Sequence, residues 1–208
     1  MLCWGFRDAY EGIFPPDAVN GTSGTADVVA AGYAHACAIQ SGTGHVYCWG
    51  TTGYGVDTPP DSVNGAAGSA SQVVSGSQSS CAIQEGTGIV ICWGENSWGQ
   101  STPPVEVDGT VGTASAITTG SQTVCAIQAG SQAVVCWGRN NNGQASPPDT
   151  VNGVSGGAVA VAVSARLGCA IESDGGAVVC WGLDYAGLLD PPAAVNGTNG
   201  TAMAIAVN

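Results

Sequence analysis

A chain of 208 residues with 33 glycines, fifteen acidic residues and only three basic ones (Arg7, Arg139, Arg166) carries a formal net charge of −12. Phosphate recognition relies on clustered Lys and Arg, so nucleic acid is excluded as a partner and anionic membrane surfaces are disfavoured. No apolar run approaches the roughly 18 residues of a membrane-spanning helix, and Met1-Leu2-Cys3-Trp4 lacks the basic head and apolar stretch of a signal peptide.

Three markers recur along the chain. Cys-Trp-Gly stands at 3–5, 48–50, 92–94, 136–138 and 180–182, at successive spacings of 45, 44, 44 and 44. Cys-Ala-Ile recurs at 37–39, 81–83, 125–127 and 169–171, and Pro-Pro at 15–16, 59–60, 103–104, 147–148 and 191–192. Three markers on one period define a repeat protein. The reading is a single repeat domain over 1–208, with repeats starting near Cys3, Cys48, Cys92, Cys136 and Cys180, the last truncated.

The third copy shows the elements in order. A short β-branched run, 115–120, is followed by 124–128, a turn over 129–132, and a second run over 133–138. Next come Asn140 to Gln144, Pro147-Pro148 and a Val-Asn-Gly turn at 151–153. Apolar runs of this length, bounded by Gly, Asn, Ser and Pro, predict strands, and no segment keeps a helical period over ten or more residues. Each repeat is therefore expected to hold three or four short antiparallel strands. That content at a period near 44 makes the fold all-β and each repeat a β-propeller blade.

Nine cysteines point to an oxidising compartment, and eight fall into couples 11 positions apart: Cys37/Cys48, Cys81/Cys92, Cys125/Cys136 and Cys169/Cys180. A hairpin folded at 41–44 sets Cys37 opposite Cys48, and the other couples repeat this placement, which predicts four intrablade disulfides. A zinc site would need about four ligands where each couple offers two, with only His35 and His45 to add nitrogen. Cys3 is left unpaired or intermolecular.

The unit Cys-Ala-Ile-Gln … Val-Val-Cys-Trp-Gly-x-Asn-x-x-Gly-Gln … Pro-Pro resembles the regulator-of-chromosome-condensation repeat, nearest its shorter bacterial version in β-lactamase-inhibitor protein II. The copies from Cys92 to Gln100 and from Cys136 to Gln144 carry it best; those at Cys48 and Cys180 keep Trp-Gly but lose the Asn or the Gln. The resemblance covers essentially the whole chain. It implies a propeller, usually of seven blades, that binds proteins through its faces. No insertion matches the wedge with which the nucleotide-exchange members act, and the paired cysteines depart from those members.

The ends do not match. The repeat stops just before a strand that would carry another Cys-Ala-Ile, and 13 repeat positions, including a partner for Cys3, are absent between the equivalents of Asn208 and Met1. The chain is then about five blades, four with their own disulfide and one incomplete. It is a segment of a longer propeller, a ring completed by a strand from another subunit, or a self-sufficient open ring, the last disfavoured by its unpaired strand edges.

Each Cys-Trp-Gly tryptophan (Trp4, Trp49, Trp93, Trp137, Trp181) reads either as packing between blades or as an aromatic ligand platform. The loops after Cys-Trp-Gly differ between copies and carry Tyr10, Tyr54, Trp98 and Tyr185, which either contact a partner or pad the outer strand. Asn-Gly steps at 20–21, 64–65, 152–153, 196–197 and 199–200 predict turns with positive φ, and three of them match the N-glycosylation acceptor pattern, at Asn20, Asn196 and Asn199. His35 and His45 read as isolated surface residues. Asp61, Glu85, Asp149 and Asp190 lie near turns at differing repeat positions, and no phosphate-cradling loop appears. No catalytic or metal residues and no cofactor are expected, weak Ca²⁺ binding being the one addition the acidic balance allows. The expected function is a non-catalytic extracellular or cell-surface scaffold binding a protein or glycan. The alternative is a structural subunit of a filament or coat, a homo-oligomer joined through incomplete blades.

Overall fold

Short β-branched runs cut by Gly, Asn and Pro cannot propagate a helix but fit a pleated, half-buried surface. The computed structural model describes residues 14–207, and it is built of strands. In chain order they are β1 (Ala26–Ala31), β2 (His35–Gln40), β3 (Val46–Gly50), β4 (Ala70–Ser75), β5 (Ser79–Gln84) and β6 (Val90–Gly94). The rest are β7 (Ala114–Thr119), β8 (Thr123–Gln128), β9 (Val134–Gly138), β10 (Ala158–Val163), β11 (Leu167–Glu172) and β12 (Val178–Gly182). A four-residue helix, α1 (Asp17–Asn20), precedes them. The strands join in threes into antiparallel sheets, β1-β2-β3, β4-β5-β6, β7-β8-β9 and β10-β11-β12, each one propeller blade. Trp4, Tyr10, Arg7 and the unpaired Cys3 lie outside the described residues.

The chain divides into two compact units, Met1–Pro103 and Pro104–Asn208. In the first, β4 packs on β1 and β2, burying Ile39, Val46, Val63, Val73, Ala82 and Trp93 with Cys37. In the second, β10 packs on β7 and β8, and Ile127, Val134, Val151, Val163, Ala170 and Trp181 close around Cys125. The central strand of each blade is the most buried, because sheet neighbours cover both its edges while the adjoining blade covers a face.

The four disulfides join Cys37–Cys48, Cys81–Cys92, Cys125–Cys136 and Cys169–Cys180. Each couple is directly opposed in the register of the second and third strands, with Cα atoms 4.1 Å apart. The glycine of Cys-Trp-Gly has a structural reason: at Gly50 φ is 119°, and a Cβ there would lie 2.6 Å from the Ala34 carbonyl oxygen.

Three strands form per blade, and a turn stands where a fourth would pair. After Pro-Pro the chain folds back so that a valine carbonyl accepts one hydrogen bond from the third strand: Val46 N–H to Val63 O at 3.0 Å, Val134 to Val151 at 2.8 Å and Val178 to Val195 at 2.9 Å. The turn valines Val19, Val63, Val107 and Val151 are fully buried. Asn64 locks its turn, donating from Nδ2 to the Pro59 carbonyl and Asp61 carboxylate and accepting the Ala66 N–H at Oδ1. Asp108 takes this place in the third turn, where the hydroxyl and amide of Thr110 hold its carboxyl below its ordinary value. Gly21, Gly65, Gly153 and Gly197 have the positive φ expected after Asn. Gly200 does not, because Asn199 sits where the other turns carry Ser23, Ala67, Val111 and Ser155, beyond the left-handed step.

Candidate binding loops

The Cys-Trp-Gly tryptophans belong to the core. Trp49, Trp93, Trp137 and Trp181 are 6–8% exposed. The Trp93 indole N–H donates to the Val56 carbonyl at 3.0 Å and that of Trp181 to the Gln144 carbonyl at 2.9 Å. Both acceptors belong to the loop of the preceding blade, so each indole pins a loop as well as filling space.

The loop after β6 shows how the Asn-x-x-Gly-Gln segment works. Gln100 is buried, accepting the Trp98 backbone N–H at 2.9 Å and donating to the Glu95 carboxylate. Glu95 also accepts the Ser97 N–H at 2.8 Å, and Asn96 accepts the Ser101 N–H at 2.9 Å. Glu95 is thus a buried brace. After β9, Gln144 accepts the Asn142 N–H and Asn140 the Ala145 N–H, both at 2.9 Å. Gln100 and Gln144 are buried under their loops, while Asn96 and Asn140 hold them from the exposed side.

The variable residues of these loops include the aromatics. Trp98 is 43% exposed, Tyr54 64% and Tyr185 74%. Tyr54 and Trp98 are equivalent repeat positions, whereas Tyr185 stands one residue earlier, its own blade placing Ala186 there. Tyr54 and Ala186 have φ of 59° and 57°, a left-handed conformation costing about 1–2 kcal/mol in a non-glycine residue. One further aromatic escaped the sequence reading: Tyr33, in the β1–β2 turn, is 84% exposed. It lies on the same end of its blade as the Tyr54 loop, since Thr51 N–H donates to the Ala34 carbonyl at 2.9 Å. The signal was a lone Tyr where the other copies have Ser77, Ser121 and Ala165.

His35 corrects the surface reading. It is 4% exposed, and its Nε2 lies 2.8 Å from the Ser80 hydroxyl of the next blade. Nδ1 is buried with no hydrogen-bond partner among the described residues. Burial lowers its pKa below the ordinary value, against a smaller opposing effect of Asp57. Ser80 also meets the Ser75 hydroxyl at 3.0 Å, so the pair is a polar joint between blades. The carboxylates serve turns: Asp61 and Asp149 accept from Asn64 and Asn152, and Glu85 from Ser69 at 2.6 Å.

At the opposite end of each blade, the residue closing the second strand staples the Pro-Pro turn. Gln40 donates to the Ala18 carbonyl at 2.9 Å, and Gln84 to Ser62 and Gln128 to Glu106 at 3.0 Å. The fourth blade has Glu172 there, whose side chain has no N–H to give. A cavity of about 220 Å³ opens at that point, lined by Thr150, Ser155, Gly156, Gly157, Glu172, Ser173 and Asp174. Among the described residues no group of three or more His, Cys, Asp or Glu is placed to hold a metal ion, and no helix is long and apolar enough to cross a membrane.

Disulfide-clasped three-stranded blades with braced, variable loops define an all-β propeller, and solved propellers match it. The ectodomain of the Physcomitrella patens receptor kinase CR4 is 26% identical, at a TM-score of 0.61 over 79% of this chain and 42% of that one. The CRINKLY WD40 ectodomain of the Arabidopsis thaliana receptor kinase ACR4 matches at 22% identity and a TM-score of 0.59, covering 76% and 53%. Prp20p of Saccharomyces cerevisiae, the yeast RCC1, matches at 19% identity and a TM-score of 0.62, covering 81% and 46%. The fold is therefore that of the RCC1-like propellers, and the chain spans about half the length of these proteins or less. No family model and no curated protein matches the sequence.

Proposed function

We propose that this chain is a non-catalytic scaffold of an extracellular or cell-surface protein, binding a protein or glycan partner through the loops that follow the third strand of each blade. The observation that carries the reading is the β6 loop, where Glu95 and Gln100 are buried braces and Trp98 between them stands exposed, with Tyr54 and Tyr185 exposed in the corresponding loops of their blades. Rigidly presented aromatics give contact area at low entropic cost. The intrablade disulfides and the receptor ectodomains among the similar structures support an extracellular setting. Prp20p, described with its binding properties to Gsp1p and histones, supports protein binding as the use of this architecture. A nearer kinship with the bacterial inhibitor group, named above from the repeat motif, belongs to the same proposal.

The test is capture from the conditioned medium and surface extract of the source organism by the immobilised chain, beside a Tyr54→Ser/Trp98→Ser/Tyr185→Ser variant. A macromolecule held by the first and lost by the second, with both equally stable, supports the reading. Equal retention, or retention by neither, counts against the loops.

A further inference from the structure

Six Asn-Gly steps occur in the chain, and the fold treats one of them differently. Asn-Gly is chemically labile because the glycine amide nitrogen can attack the preceding side-chain carbonyl carbon with no Cβ in the way. The reaction needs that N–H free and the Asn side chain mobile; a hydrogen bond on either must first be broken.

At five of the steps the fold engages the nucleophile, and at Asn142–Gly143 the Gly143 N–H donates to the Asn140 carbonyl at 3.2 Å. Gly21 N–H donates to the Gly24 carbonyl at 2.7 Å, Gly65 to Gly68 and Gly153 to Gly156 at 2.9 Å, and Gly197 to Gly200 at 3.0 Å. The asparagines of these last four steps are held too. Asn20, Asn64 and Asn152 each donate from Nδ2 to a proline carbonyl and an aspartate. All four accept a backbone N–H at Oδ1, Asn196 from Thr198 at 3.0 Å. The sixth step lies three residues beyond Asn196. Asn199 is exposed, and its backbone N–H is anchored to the Ala193 carbonyl at 2.8 Å. Neither its side chain nor the Gly200 N–H makes a hydrogen bond among the described residues.

We infer that Asn199–Gly200 is a built-in deamidation site, converting spontaneously while the other five Asn-Gly steps are protected by the fold. The Gly200 nitrogen bonds to Asn199 Cγ, the Cγ–Nδ2 bond breaks, and ammonia leaves as the succinimide closes. Water then opens the ring at either carbonyl, giving aspartate or isoaspartate; nothing is oxidised or reduced. The product adds a negative charge to the last turn, and the isoaspartate form adds a backbone methylene. Either form also removes the Asn199-Gly-Thr acceptor pattern.

The experiment is incubation of the full chain at mildly alkaline pH, then proteolysis and mass mapping of the peptides holding each step. Deamidation adds about one dalton to the affected peptide. Breaking the protecting hydrogen bonds and opening the turn slows the other five, so Asn199 should convert roughly tenfold faster or more. In strong denaturant the six rates should converge. Comparable rates in the folded chain, or an Asn199 slower than any other, overturn the inference, as does a rate ratio that survives unfolding. Asn199→Gln should abolish the early product and leave the rest of the map unchanged, and an early product that persists refutes the assignment.

Discussion

Replacing Glu172 by Gln supplies the donor that the fourth blade lacks. In the first three blades a glutamine amide reaches a turn carbonyl at 2.9–3.0 Å. In the fourth, the equivalent carbonyl belongs to Thr150, on the wall of the cavity beside Glu172. A restored amide–carbonyl hydrogen bond is worth about 1 kcal/mol net, and removing one of the surplus negative charges acts in the same direction. For a unit of this size, about 1 kcal/mol corresponds to roughly 4–8 °C in melting temperature. Chemical denaturation under oxidising conditions, read at constant m-value, gives the free energy directly. The reverse change, Gln84→Glu, removes a staple and leaves the Ser62 carbonyl without its donor, which should cost about 1–3 kcal/mol. No gain from Glu172→Gln, together with no loss from Gln84→Glu, would refute the reasoning.

His35 should make stability depend on pH in a defined direction. Its folded pKa lies below the ordinary 6.5 because burial disfavours the imidazolium, with Asp57 opposing, so between the two values the unfolded chain binds the extra proton. Its contribution is complete above about pH 6.5 and is lost as pH falls toward the folded value. Denaturation midpoints of the wild type should therefore drop more steeply between pH 7 and 5, about the range in which histidine titrates, than those of His35→Ser, the residue the second blade carries; parallel curves would dismiss the effect. Removing one clasp, as in Cys81→Ala/Cys92→Ala, should cost about 2–3 kcal/mol by the loop-closure argument, measurable as a lower denaturation midpoint. Trp93→Ala should cost about 3–5 kcal/mol and lose the near-ultraviolet signature of a buried indole, whereas Trp98→Ala should leave stability within about 0.5 kcal/mol.

The spacing of the cysteines made the fold legible, because one covalent constraint repeated at one register leaves a single hairpin geometry that satisfies every copy. Strand limits fell within a residue of the pattern in the third copy, where 115–120 became Ala114–Thr119 and 133–138 became Val134–Gly138. What stayed hidden depended on contacts remote in sequence. The burial of His35 follows from Ser80 in the next blade, and the inward turn of Glu95 follows from Gln100. A polar residue in a loop reads as solvent-facing until its partner is known. The exposed aromatics were legible as exceptions to the repeat, and that test would also have found Tyr33.

The single valine carbonyl laid on β3, β9 and β12 has a consequence for how such a chain keeps company with its own kind. An unclosed strand border invites another border to zip onto it. A kinked turn with a buried valine and a proline pair offers one bond and then veers away. The border is occupied at its start and offers no straight run to a neighbour. Copies of the cassette can then multiply in a gene without each new one becoming a seed for fibrils.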